Sequence, residues 1–73
     1  MTRKDYETIA ATISGLLRDI AQESIGESLT DRQRASLNGE RIGVTQTAYR
    51  LMGVLESDNP AFDRARFLRA CGL

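Results

Sequence analysis

Three arginines near the end of the chain are the residues best suited to binding an anion. Arg64, Arg66 and Arg69 lie within one short segment, and guanidinium groups hold phosphate oxygens through paired hydrogen bonds. Asp63 precedes them, so a second interpretation is that they solvate a helix face or form structural ion pairs. Contact with a partner protein is a third. The three arginines are therefore candidate phosphate or partner contacts.

The composition offers few groups for catalysis or metal binding. The chain has one Cys and no His, so Cys71 has no imidazole to activate it, and we expect it in the core. A structural zinc site needs four soft ligands. Gly39 and Gly43 lack the Lys and Ser/Thr of a phosphate-binding loop. The sequence therefore predicts no catalytic residue, no metal, no cofactor and no enzymatic activity.

Two capping signals mark the starts of the two long helices. Thr2 with Asp5, and Thr30 with Gln33, have the spacing of capping boxes, in which the cap hydroxyl and the third helical side chain bond reciprocal backbone amides. We expect the first helix to end at a break over 26–28, where Gly26 supplies a left-handed terminus.

The last segment contains its own signals for where helices stop and start. Pro60 disfavours helical geometry at the residue before it, so the second helix must stop near Ser57. Asp63 is a suitable cap for a short third helix that Gly72 closes, and Phe62 and Phe67 have the spacing of a hydrophobic staple. The prediction is one all-α domain over 1–73, a helical hairpin plus a short C-terminal helix, with helices at about 3–24, 31–57 and 63–71.

Apolar residues recur with helical spacing along both long segments. In the first, the seam comprises Tyr6, Ile9, Ala10, Ile13, Leu16, Leu17 and Ile20. In the second, it comprises Leu37, Val44, Ala48, Leu51 and Leu55. Asn38-Gly39 is a frequent turn dipeptide, so the second helix is either continuous or broken into 31–37 and 40–57.

A second apolar stripe on the middle helix indicates self-association. Ile42 and Tyr49 lie about a quarter turn from the main seam, with Met52 on its other shoulder. A chain of 73 residues has a marginal core, for which oligomerisation is a common remedy. We therefore expect a homo-oligomer whose interface contains Ile42, Tyr49 and Met52.

The two ends of the chain resemble a known group of proteins. The opening Met1-Thr2-Arg3-Lys4-Asp5-Tyr6 with Ile9-Ala10, and the closing segment from Asp58-Asn59-Pro60 through Phe62-Asp63-Arg64 and Arg66-Phe67-Leu68 to Ala70-Cys71-Gly72, are similar to very small uncharacterised proteins of tailed bacteriophages and prophages. The resemblance implies a phage or prophage origin and action in the bacterial cytoplasm. It brings no catalytic motif, and residues 21–57 have no counterpart in it.

Three functions are compatible with these features. The first is a phage-type accessory or regulatory protein that self-associates and binds a host or phage protein. The second is a nucleic-acid-binding regulator using the arginine-bearing last helix, although a net charge of zero gives no general attraction to nucleic acid. The third is a nucleotide-binding sponge that sequesters a host signalling molecule. We expect no membrane partner, since no stretch approaches the length of an apolar span.

Overall fold

Three α-helices form the part of the chain described by the computed structural model, which comprises residues 1–26 and 28–73. They are α1 (Arg3–Glu23), α2 (Asp31–Asp58) and α3 (Arg64–Cys71), and no strand occurs among these residues. The predicted all-α three-helix class is confirmed. The expected bounds of 3–24, 31–57 and 63–71 each differ from the observed ones by a single residue at one end.

Both long helices begin with the capping boxes that their sequences predict. The Thr2 hydroxyl accepts from the Asp5 amide at 3.3 Å while the Asp5 carboxylate accepts from the Thr2 amide at 2.9 Å. Thr30 and Gln33 make the equivalent pair at 3.1 and 2.8 Å. These bonds satisfy backbone amides that the helix itself leaves without acceptors, and so they fix where each helix starts.

The end of α1 differs from the prediction. Ser24 caps it in ordinary right-handed geometry (φ −72°), and the Ser24 hydroxyl donates to the Ile20 carbonyl at 2.8 Å. Gly26 does not adopt the left-handed conformation expected of it, because Gly72 alone among the described residues has a positive φ. Glu27, within the expected 26–28 break, lies outside the described residues.

The middle helix is continuous through Asn38-Gly39. The Arg41 guanidinium donates to the Asn38 side-chain oxygen at 2.8 Å, one turn away. The Asn38 side chain is thus hydrogen-bonded to a neighbour on the same helix. The helix ends at Asp58, and Asn59 is extended (φ −142°, ψ 104°) because Pro60 follows it. The alternative of a break into two pieces is not what the chain adopts.

The short third helix is stapled as its sequence predicts. The Asp63 carboxylate accepts from the Arg66 amide at 3.0 Å, and Gly72 ends the helix with φ 86°. The Phe62 and Phe67 rings lie 5.4 Å apart, and the Tyr6 ring meets Phe62 edge-on at 5.0 Å. This aromatic group joins α3 to the start of α1.

The core lies where all three helices meet. Its buried members are Ala10 and Ile13 from α1, Ala48, Met52 and Leu55 from α2, and Phe62, Phe67 and Cys71 from the last segment. Because α3 is short, it covers only one end of the hairpin. The molecule is consequently a rod of 46 × 17 × 16 Å with a radius of gyration of 14.2 Å, where a compact chain of this length would have about 11 Å.

Candidate interaction surfaces

Two of the three residues predicted for a subunit interface remain at the surface. Ile42 is 43% exposed and Tyr49 is 48% exposed. They lie seven residues apart on the continuous helix α2, which places them on one stripe two turns apart. We call this pair and its immediate neighbours the tyrosine stripe.

The third predicted interface residue belongs to the core instead. Met52 is 5% exposed and lies in the cluster that contains Phe62, Phe67 and Cys71. Its position on the shoulder of the main seam faces the part of the hairpin that the last segment covers. The prediction that Met52 contacts a second subunit is therefore wrong, and the residue holds the three helices together.

Uncharged side chains surround the tyrosine stripe. The positions one turn before and after Ile42 and Tyr49 are the neighbours that a helix places beside them. They are Asn38, Gly39, Thr45, Gln46, Met52 and Gly53. A β-carbon built at Gly39 or Gly53 has no atom within 4 Å, so another backbone can approach this side of α2 closely. The nearest charges are the Arg41 guanidinium, which bonds the Asn38 side chain, and Glu56, seven residues after Tyr49.

The three candidate arginines of the last segment lie in different surroundings. Arg64 turns toward α2, where its Nε lies 3.4 Å from a carboxylate oxygen of Glu56. Arg66 lines a groove against α1 instead, and Arg69 is exposed. The Arg64–Glu56 pair agrees with the interpretation of these arginines as structural ion pairs, whereas Arg66 and Arg69, candidate phosphate or partner contacts, carry no ion pair within the described residues.

The groove beside Arg66 has an aromatic floor and a mixed rim. It encloses about 560 Å³ between the start of α1, the 59–63 connection and α3. Tyr6, Phe62 and Phe67 form the floor, and the Asn59 side-chain amide donates to the Tyr6 hydroxyl at 3.4 Å. Arg3 and Arg66 stand on the rim beside Glu7 and Asp63, so the side-chain charges of the lining cancel. Phe62 and Phe67 are buried and Tyr6 is half-buried, so a ligand would meet Tyr6 together with the exposed Met1, Ala61 and Ala70 of the lining.

A second groove runs along the side of the hairpin away from α3. About 700 Å³ in volume, it has an apolar bed and three carboxylates, and we call it the hairpin trough. Its lining residues are Ile13, Leu16, Asp19, Ile20 and Glu23 of α1 with Glu40, Gly43, Val44 and Thr47 of α2. Leu16 was expected in the core seam but is 48% exposed, because α3 covers only the other side of the hairpin.

The described residues offer little for chemistry. Cys71 is buried, and burial raises the pKa of its thiol, which keeps it protonated and unreactive at neutral pH. Over residues 1–26 and 28–73, no three Cys, Asp or Glu side chains converge as a metal site would need. No helix in the same ranges has the length and apolar character needed to cross a bilayer.

Comparison with known proteins adds no relative to this description. No protein family model, no curated protein and no solved structure matches the chain. The candidate surfaces therefore rest on this chain's own geometry. The trough was missed from the sequence, because Leu16 has buried Ile13 and Ile20 one turn away on one side and polar Thr12 and Asp19 on the other, which is the pattern of a residue at the edge of a core seam.

Proposed function

We propose that this protein is a non-enzymatic accessory or regulatory protein that acts by self-association and by binding another protein. Its phage or prophage origin and its action in the bacterial cytoplasm are part of the same proposal. They are supported by the opening Met1–Tyr6 segment and the closing Asp58–Gly72 motif. The absence of His from the composition supports the non-enzymatic part.

The single observation that carries self-association is the amount of surface that the chain leaves open. A compact monomer of 8.1 kDa exposes about 4,500 Å² by the usual scaling with mass. This chain exposes 5281 Å². The excess of roughly 800 Å² reflects the rod shape, and it is similar in size to the area each partner contributes to a standard protein interface.

The tyrosine stripe is the surface best suited to a second copy. A two-fold axis brings identical patches together, so any charge in the patch meets its own like charge. The side chains one turn from Ile42 and Tyr49 are uncharged, which limits that penalty to charges at the edge of the stripe, such as the Arg41 guanidinium beside Asn38. Tyrosine is also enriched at the centres of interfaces, where it buries a large apolar ring at low entropic cost. The pairing of α2 with α2 follows as the proposed contact.

A charge placed in the stripe tests the proposal. The Tyr49→Asp variant puts two carboxylates against each other at the two-fold axis, and its mass by light scattering should fall to that of one chain. Ser36→Asp is the matched control, since it adds the same charge to an exposed position on another side of α2 and should leave the mass unchanged. Equal masses for Tyr49→Asp and wild type would refute the stripe as the self-contact.

A further inference from the structure

The hairpin trough continues beyond its enclosed part along the whole side of the hairpin. Several lining residues have an apolar residue seven positions away, and residues seven apart lie on the same side of a helix. Ile9 precedes Leu16 in this way, and Leu51 follows Val44. Val54 follows Thr47 and is 63% exposed, the largest exposure of any large apolar residue within α1 and α2. The result is an apolar strip wider than the tyrosine stripe.

Carboxylates mark both ends of this strip. Asp19, Glu23 and Glu40 line the trough near the hairpin loop. At the other end, Asp5 is three turns before Leu16 and Asp58 follows Leu51 by seven residues, so both carboxylates lie on the same side. None of the five makes an ion pair within the described residues. The strip is thus negative at each end and mainly apolar between them, where exposed Arg50, seven residues after Gly43, adds one positive charge on the α2 side.

This charge pattern selects the occupant. A second copy laid on the strip in either direction would bring carboxylates against carboxylates, which is unfavourable. A helix with an apolar face flanked by Lys or Arg complements the strip better. Its apolar face packs on the apolar middle, and its basic residues pair with the carboxylates at each end. Gly43, with no atom within 4 Å of a β-carbon built on it, lets the incoming helix approach closely.

We infer that the hairpin trough binds a cationic amphipathic helix of a partner protein. The inference rests on the proposed function, namely that the protein acts by binding another protein. It adds the chemistry of that partner and the side of this molecule that binds the partner. From Asp5 to Glu23 the strip is about 27 Å long, so a helix of about 18 residues spans it. The bound helix lies beside α1 and α2 and completes a bundle on the side that α3 leaves open.

The probe is a fluorescent peptide of about 18 residues, or five helical turns, composed of Leu and Lys with helical spacing. Two comparison peptides replace every Lys by Glu, or every Leu by Ala. Fluorescence anisotropy should detect binding of the Leu–Lys peptide alone. Tight binding of the Leu–Glu peptide would overturn the charge argument, and equal binding of the Ala–Lys peptide would overturn the apolar one.

Protein variants locate the site. Glu23→Lys should weaken binding of the Leu–Lys peptide by roughly five- to tenfold, the scale of an exposed pair converted into a repulsion. Glu7→Lys makes the same charge change on the side of α1 that faces α3 and should have little effect. Equal loss in both variants would mean diffuse attraction and overturn the proposal. Leu16→Gln should also weaken binding, with its fold checked by circular dichroism.

The oligomeric state keeps this inference separate from the proposed function. Tyr49→Asp should still bind the Leu–Lys peptide, because the tyrosine stripe and the trough lie on different sides of α2. Peptide binding with an unchanged mass for Tyr49→Asp would refute the proposed self-contact and leave the trough inference standing. If Leu16→Gln instead reduces the mass to one chain, a second copy occupies the trough and the inference fails.

Discussion

Replacing Gly39 by Ala should stabilise the protein, because the glycine serves no structural purpose within the single chain. Gly39 lies inside the continuous helix α2, its φ is not positive, and a β-carbon built on it has no atom within 4 Å. Glycine in a helix interior costs about 1 kcal/mol relative to alanine. The free energy of unfolding should rise by that amount, which corresponds to a melting temperature about 4–8 °C higher for a domain of this size.

Urea unfolding followed by circular dichroism measures this change. Wild type and variant must be compared at one low concentration, because association adds concentration-dependent stability. Gly15→Ala in α1 is the matched control, since its built β-carbon is equally unobstructed. A gain for Gly15→Ala without one for Gly39→Ala would show that Asn38-Gly39 is a turn and would refute the continuous helix.

Three further predictions concern the caps and the thiol. Thr30→Ala removes the hydroxyl that caps α2 and should lower the free energy of unfolding by about 1 kcal/mol in urea titration. Hydrogen bonds from the Thr2 backbone and side chain lower the pKa of Asp5, so its carboxylate stabilises the fold at neutral pH and this contribution is lost as pH falls through that lowered value. The difference in free energy of unfolding between wild type and Asp5→Asn should therefore shrink in acid, and a difference constant with pH would contradict this. Cys71 should react with a thiol reagent only in denaturant, and rapid labelling of the native protein would show that the thiol is accessible.

Local features of the fold are those that the sequence predicts well. The capping boxes at Thr2 and Thr30, the Asp63 cap and the left-handed Gly72 all involve groups within three or four residues of each other. Their geometry is set by neighbours along the chain, so spacing alone is enough to recognise them. Gly26 is the exception, because the Ser24 hydroxyl caps α1 before the glycine is reached.

Burial was harder to predict because it depends on where the third helix lies. Periodicity places both Leu16 and Met52 on the edges of core seams, and nothing in either seam says which edge is covered. The last segment covers the edge that holds Met52 and leaves the one that holds Leu16. The same choice sends Arg64 toward Glu56 and Arg66 toward α1, which separates the arginines that the sequence had grouped.

The most direct measurement of the central proposal is the mass of the wild-type protein in solution. Sedimentation equilibrium over a range of concentrations reports the mass without reference to shape, which matters for a rod of 46 × 17 × 16 Å. The excess exposed surface predicts twice the 8.1 kDa of one chain, falling toward one chain on dilution. A mass of one chain up to high micromolar concentration would contradict the account.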